Sequence, residues 1–278
     1  MFAIVGILVV FGAVVGGYLM EHGNLKVLVQ PAELLIIGGA AAGTILIANP
    51  PTILKGIMAG MKVVFGGSAF GKARYVEILT QIYAILQKAR KGGLMELEKD
   101  IEEPDKSALF AKWDHHVRDF VCDTLRLAMS GGPTPFDLDQ MMELDMEVHE
   151  HYAQLPVKAL NAVADSLPGL GIVAAVLGVV ITMGALGGPP EEIGHKVAAA
   201  LVGTFLGILL CYGLLGPMAS KMGKAAEEEH HYYHAVRVAL SSFLKGSPPP
   251  LAVEFARRAI PGHVRPSFSE LEKAYKGK

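Results

Sequence analysis

Residues 166–190 read SLPGLGIVAAVLGVVITMGALGGPP, a run of 25 residues without a charged side chain. After six residues a second such run, VAAALVGTFLGILLCYGLLGPMAS, occupies the 24 positions 197–220. Two more uncharged runs, of 20 and 21 residues, cover 1–20 and 34–54. A helix of about 20 apolar residues spans the hydrocarbon core of a bilayer. The four runs therefore predict an all-α polytopic membrane protein with four transmembrane helices.

The bulk composition agrees with a membrane protein. Of the 278 residues, 51% are hydrophobic and only 19% are charged, with a mean hydropathy of +0.39. These values exclude an ordinary soluble enzyme. The net charge of −2 argues against nucleic acid as a partner, and two cysteines are too few for a disulfide framework.

The spans are arranged as two helical hairpins, since each pair is joined by a short connection, Glu21–Glu33 or Glu191–Lys196. The predicted helices are about 2–20, 33–50, 168–188 and 197–217. The predicted domains are a first hairpin (1–54), a helical domain (55–165), a second hairpin (166–220) and a C-terminal tail (221–278). The two short connections hold two basic residues, whereas the helical domain holds 13 and the tail 10. Because Lys and Arg favour the cytoplasmic side, we expect the helical domain and both termini to be cytoplasmic.

Hydrophobic periodicity predicts a bundle of helices in the 55–165 domain. Apolar residues recur at steps of three and four across 74–90, and Gly92-Gly93 ends that helix. An acidic helix follows near Asp137–Tyr152. Its expected apolar side consists of Leu138, Met141, Leu144 and Val148.

The spans contain almost nothing that could bind an ion. Pumps and ion carriers usually keep an ionisable residue within the membrane, but here Glu33 and Lys196 lie only at the outer ends of the spans. If ions cross the membrane here, another polypeptide must therefore supply the titrating group. Glu33 follows Pro31, so we favour a role in stabilising the first turn of its helix over a role in binding ions.

Small residues recur at helical spacing in the spans, in the pairs Gly12 and Gly16, Gly39 and Gly43, Gly184 and Gly188, and Gly203 and Gly207. Such pairs let helix backbones approach closely in lipid. Packing within the chain and packing against other subunits remain equal alternatives.

No catalytic triad can be argued, because the candidate residues lie in unrelated segments. The stretch Gly66–Ala73 imitates a phosphate-binding loop, but it lacks the Ser or Thr after the lysine and a preceding strand. His230, His231 and His234 have a spacing that could bind metal, but a solvated polar face explains them better, so we expect neither an enzyme nor a cofactor or metal site.

Several longer stretches carry a resemblance to a known family. They are Gly16–Met20, Gln30–Leu34, Ala164–Pro168, Gly171–Val176, Val202–Leu209, Ala252–Phe255 and Arg265–Phe268. In this order and around two hairpins, they resemble the MotA family of flagellar motor stator subunits over nearly the whole chain.

The resemblance implies an inner-membrane protein of the bacterial flagellum that takes part in ion transport and chemotaxis. It implies a ring of five copies around two copies of a single-span MotB partner, whose aspartate takes and releases the ion. The transmembrane ion gradient would drive the ring, and its cytoplasmic domain would transmit torque to the rotor protein FliG.

The resemblance also implies roles for individual residues. Arg90 and Glu98 match the torque residues that contact the rotor, although each could instead be an ordinary solvated charge. Pro168 and Pro217 match hinge prolines, although each could simply start or end a helix. Thr204 matches a threonine on the ion path. Ala175 lies where proton-driven relatives have alanine and sodium-driven ones threonine, which favours protons.

Two alternatives remain. One is an energiser of outer-membrane processes, of the ExbB/TolQ kind. Such proteins are similar in forming a ring, but they have three membrane spans and lack the first hairpin found in this sequence. A passive membrane scaffold would have the same helices but no ion flux that depends on them.

Overall fold

The computed structural model describes residues 2–66, 69–110, 113–184 and 187–277. Within these ranges the chain is predominantly helical and contains no β-strand, which confirms the predicted fold class. The α-helices are α1 (Phe2–Met20), α2 (Leu25–Leu28), α3 (Pro31–Ala48), α4 (Pro51–Gly66), α5 (Lys72–Gly92), α6 (Glu98–Glu102), α7 (His115–Met129), α8 (Pro135–Met183), α9 (Pro190–Leu210), α10 (Gly216–Leu244), α11 (Pro249–Ala259) and α12 (Phe268–Lys276). Short 3-10 helices cover Leu94–Leu97 and Pro104–Lys106, and a π-helical turn, Cys211–Leu215, joins α9 to α10.

In the part of the chain that the structure describes, four helical stretches are long and apolar enough to cross a membrane. They are Phe2–Met20, Leu25–Ala48, Pro135–Met183 and Pro190–Leu244. The first of these, α1, has no buried residue, and side chains such as Leu8 are mostly exposed. An apolar helix that is exposed all round suits contact with lipid or with other subunits rather than with water.

The third and fourth membrane helices begin earlier than the ranges 168–188 and 197–217 expected from the sequence; the third also ends earlier, at Met183, and the fourth continues beyond 217. Helix α8 begins at Pro135 and continues through Pro156 and Pro168, because a proline removes only one N–H from the helical hydrogen bonds and its neighbours maintain the rest. Residues 185–186 of the expected third span lie outside the described residues. Helix α9 starts earlier, at Pro190, a residue suited to the first helical position.

The described residues form two compact units. We call 2–66 with 152–225 the membrane unit, and 69–151 with 226–277 the head unit. The membrane unit has two buried clusters. One is Ile37, Ala41, Ala164, Leu167, Ala174 and Cys211, and the other is Ile57, Val64, Val157, Ala159, Leu160, Met218, Ala219 and Met222.

The head unit has one larger core, formed by α5, α7, the 3-10 turn before α6, and parts of α8 and α10–α12. The periodic residues of α5 are at its centre: Tyr75, Leu79, Ile82 and Leu86 are at most 1% exposed. The predicted apolar side of the acidic helix is wrong in part. Leu138 is buried, but Met141, Leu144 and Val148 are exposed, because Met142 and Met146 pack into the core instead.

Candidate functional site

Helices α8 and α9 touch through their backbones. A methyl group on Gly171 would lie 2.7 Å from the carbonyl oxygen of Gly203, and one on Gly207 would lie 2.5 Å from that of Leu167. Only glycine leaves room for such an approach, which is how small residues associate helices in lipid. We call this contact the α8–α9 seam.

Three of the four glycine pairs therefore divide between the two alternatives. Gly203 and Gly207 pack within the chain, whereas Gly12, Gly16, Gly39 and Gly43 have open space where a side chain would begin. Within the described residues, the faces of α1 and α3 that carry these four glycines are free to meet another chain.

Thr204 and Ala175 lie beside the seam, on facing helices. A methyl group added to Gly203 on α9 would lie 3.2 Å from the backbone nitrogen of Ala175 on α8. A methyl group added to Gly171 on α8 would lie 3.3 Å from the Cα of Thr204 on α9. Both residues are half-buried. The structure thus brings together the two residues that the resemblance places on an ion path.

Glu33 reaches the same seam from α3. It occupies the first turn of its helix, as expected, with Pro31 at the start. Its side chain, however, is only 7% exposed, and its Oε2 atom lies 2.6 Å from where a methyl group on Gly203 would be. Within the described chain Oε2 has no hydrogen-bond partner. The sequence showed the helix position of Glu33 but not the burial, since burial depends on how α3 packs.

Pro168 and Pro217 both lie within continuous helical runs, so neither one starts or ends a membrane helix. Pro168 is in the interior of α8. Pro217 follows the π-helical turn, where the Gly216 N–H donates to the carbonyl oxygen of Cys211, five residues back. Each proline leaves a carbonyl one turn earlier without its usual donor, and π-helical turns commonly occur at functional sites.

The head unit presents Arg90 and Glu98 on either side of a tight connection. Arg90 is in the last turn of α5 and Glu98 is the first residue of α6. Between them Gly93 has a φ of +82°, a conformation that side chains disfavour, so the predicted break after α5 is confirmed. Both charged residues are exposed, and neither forms an ion pair with another described residue.

The segment that bears Glu98 is firmly attached to the head unit. Leu97 and Ile101 are fully buried in its core. Lys88 Nζ lies 2.6 Å from an Asp100 carboxylate oxygen, and the Ser107 hydroxyl donates to the other oxygen at 2.7 Å. Burial opposes ionisation of Asp100, but these hydrogen bonds and the charge of Lys88 hold its pKa below the usual value. We call residues 90–102 the charged rim.

Arg126 on α7 forms a second set of contacts that hold the charged rim, beside those of Asp100. Its guanidinium lies 2.9 Å from a Glu102 carboxylate oxygen and also donates to the carbonyl oxygen of Ile101 at 3.2 Å. The rim therefore combines a fixed backbone with free charges. Lys91, Glu96 and Lys99 are exposed beside Arg90 and Glu98.

A second group of titratable residues connects α8 and α10 in the head unit. The His149 ring nitrogen Nε2 lies 3.3 Å from a Glu229 carboxylate oxygen, and His230 lies 3.3 Å from Glu150. The contact with Glu229 raises the pKa of His149, against the effect of its burial. The described residues contain no group of three His, Cys, Asp or Glu side chains placed to hold a metal ion.

Comparison with known families now defines the class of protein. Residues 4–93 match the family described as Motility protein A N-terminal, and residues 112–235 match the MotA/TolQ/ExbB proton channel family. The chain is thus a multi-pass helical membrane subunit of a proton-channel class, which is not a class of enzymes.

Individual relatives narrow the class. The chain is 42% identical over 278 residues to Motility protein A of Escherichia coli (strain K12), covering 98% of this chain and 94% of the relative. It is 36% identical over 273 residues to Chemotaxis protein LafT of Vibrio parahaemolyticus, covering 96% of each. The chain belongs to the motility protein A family.

Two solved structures share the fold. One, the structure of C. jejuni MotAB, matches with a TM-score of 0.78 at 20% identity over 95% of this chain and 98% of that one. The other is the flagellar MotAB stator complex from Bacillus subtilis, with a TM-score of 0.72 at 24% identity over 90% of this chain and 92% of that one.

Proposed function

We propose that this chain is the stator subunit of a bacterial flagellar motor, which forms an ion channel with a MotB-type partner and converts ion flow into torque. Membership of the motility protein A family supports this role, as does the likeness to MotAB structures. The observation that carries it is the charged rim, where free charges stand on a fixed backbone. Exposed charges attract a moving partner quickly and release it easily, because each pair adds little affinity.

The proposed orientation places the head unit in the cytoplasm, with both termini on the same side of the inner membrane. The distribution of Lys and Arg supports it, since the two hairpin connections carry only Lys26 and Lys196. In this orientation the rim residues Arg90 and Glu98 face the rotor protein FliG.

The proposed ion path runs beside Thr204 and Ala175, and the proposed ion is the proton. One observation supports this choice of ion. Ala175 has no hydroxyl, so its side chain adds no oxygen that would help replace the hydration shell of sodium. The essential carboxylate belongs to the partner, an aspartate on its single membrane helix.

Pro168 and Pro217 act as hinges between the ion path and the rest of the chain. Both interrupt the hydrogen bonds of a continuous helix, and the π-helical turn beside Pro217 adds a second irregularity. Interruptions of this kind are where long helices bend. Movement at the seam can therefore change the direction of α8 and α10.

The working assembly is proposed to be a ring of five copies around two partner chains. The open glycine faces of α1 and α3 support contact with other helices. So do the exposed apolar side chains of α1, which would otherwise lack a covering surface except lipid.

The decisive experiment begins with a strain that lacks this chain. We expect filaments that are present but do not rotate, with rotation restored by re-expression. The charge reversals Arg90→Glu and Glu98→Lys should then impair rotation while the amount of chain in the membrane stays normal. Matched controls are Lys273→Glu and Glu227→Lys, which reverse exposed charges elsewhere in the head unit.

Other outcomes would redirect the interpretation. Normal swimming without the chain, in a cell that has no second stator, would contradict the stator role and favour an ExbB/TolQ-like energiser. An absence of any ion flux that depends on the chain, even with its partner present, would favour a passive scaffold. Normal torque in both reversals and in the double variant would remove Arg90 and Glu98 from the mechanism.

A further inference from the structure

Glu33 is an unusual side chain for its surroundings. Among the described residues it is the only Asp, Glu, Lys, Arg or His that is more than nine-tenths buried. It lies in a helix that is otherwise free of charge, α3, within the membrane unit. Ionisable residues at membrane depth are rare and usually functional, because an unpaired charge there is costly.

The structure accounts for its position but not for its partner. The Oε2 atom points at Gly203, on the side of α9 that faces Ala174 and Ala175, and within the described chain it has no hydrogen-bond partner. A buried polar atom is normally satisfied, so a missing partner indicates a group that the chain itself does not provide. A water molecule, a proton or a group on a second protein would complete the site.

The chemistry of the site favours a group that changes its protonation state. A lasting negative charge would be destabilising at this depth, and uptake of one proton removes it. At the same time Glu33 lies in the first turn of α3, where unpaired N–H groups favour a negative charge. Both the ionised and the neutral carboxyl group are therefore accessible.

We propose that Glu33 is a proton-accepting residue on the ion path, placed beside Thr204 and Ala175. The inference rests on the proposed function, since it needs a proton current. A proton from the outer side binds a carboxylate oxygen of Glu33 and forms the neutral acid. The same proton then passes to the partner's carboxylate through water, which restores the Glu33 carboxylate, so one proton enters and one leaves.

The test uses the complete complex with its MotB-type partner in liposomes, with proton uptake followed by an internal pH-sensitive dye under an imposed membrane potential. Glu33→Gln keeps the size and hydrogen-bonding capacity of the side chain but cannot release a proton. We expect it to assemble normally and to lower the proton flux by at least about tenfold. Glu191→Gln is the matched control, an exposed carboxylate in the first turn of α9, and should conduct normally.

A further variant guards against a purely structural effect. Glu33→Asp retains a carboxyl group but withdraws it from the seam, so we expect a reduced flux whose dependence on external pH is shifted.

The outcomes separate this inference from the stator role. Wild-type flux in an assembled Glu33→Gln complex would overturn it, and so would an unshifted pH profile in Glu33→Asp if the glutamine variant did not assemble. In both cases the wild-type complex still conducts and the stator role stands. No flux from the wild-type complex would instead overturn the proposed function and this inference together.

Discussion

The α8–α9 seam and the charged rim differ in what the sequence places there: close backbone packing at the seam and exposed charges at the rim. The seam excludes side chains, so that backbone touches backbone at Gly171 and Gly207, and Glu33, the one buried carboxyl group among the described residues, lies beside it. The rim does the reverse, since Leu97 and Ile101 anchor a short segment whose charges remain free. A charged side chain in lipid has a high free-energy cost, so the few that occur there usually have a specific function. An exposed charge in water has little cost, and such charges act through their number and placement.

This comparison predicts very different sensitivity to substitution, and the largest effect belongs to the seam. Gly207→Leu adds a side chain whose first atom would already lie 2.5 Å from the Leu167 carbonyl oxygen. Backbone cannot move aside as a flexible side chain can, so we expect more than the about 1–3 kcal/mol typical of overpacking, and loss of folded protein. The measurement is the amount of monodisperse chain recovered from membranes in detergent.

The matched control for the seam is Gly43→Leu on α3. Gly43 has open space around it within the described chain, and leucine is a better helix former than glycine. We expect the folded chain to be recovered normally. A change in the size of the assembled complex, without loss of the folded chain, would assign this face of α3 to contacts between subunits. Equal recovery of Gly207→Leu and Gly43→Leu would show that the seam tolerates a side chain as well as the open face of α3 does, and would contradict the prediction.

The second prediction concerns the anchor of the rim. Leu97→Ala leaves a cavity under the segment that carries Glu98 and should lower the free energy of unfolding of the head unit by about 2–5 kcal/mol. The only tryptophan of the chain, Trp113, lies in the head unit core, so its fluorescence during urea unfolding of the whole chain reports on this unit. Met95→Ala, at an exposed position of the same 3-10 turn, should leave the transition unchanged.

Motor rotation should also be reduced more by Leu97→Ala than by the control Met95→Ala. Leu97→Ala retains Arg90 and Glu98 but loosens the backbone that presents them, so we expect reduced torque without any change in charge. Full torque from a destabilised Leu97→Ala head unit would show that the rim works as a flexible charged segment. The fixed backbone would then have no part in the mechanism.

How far the sequence alone could lead is clear from particular residues. Length and hydropathy predicted the four membrane helices, and the periodicity of α5 predicted Tyr75 and Leu79 in the core, because both signals are local. The outward position of Met141 and Leu144 was not predictable. Met142 and Met146 are apolar too, and the packing of neighbouring helices decides which of these side chains enter the core. The burial of Glu33 depends in the same way on how α3 packs against the seam.

We expect the smallest effect from removing the ion pair between Lys88 on α5 and Asp100 on α6, which connects these two helices. Both side chains are partly exposed, so replacing Lys88 by methionine should cost only about 1 kcal/mol near neutral pH, measured by Trp113 fluorescence. Lys91→Met removes an exposed lysine of the same helix that has no ion pair with another described residue; it is the control and should cost less.

The sign of its pH dependence follows from the lowered pKa of Asp100 in the folded chain. A carboxyl group with a lowered pKa stabilises the fold above its unfolded pKa, about 3.9 for aspartate, and loses that contribution as the pH falls through the folded value. The difference between the wild type and Lys88→Met should therefore be constant from neutral pH to about pH 5 and shrink below about pH 4. A difference that stays constant down to pH 3 would mean that Lys88 supports the rim through its aliphatic stem rather than its charge, and the rim would then resemble the seam in relying on packing.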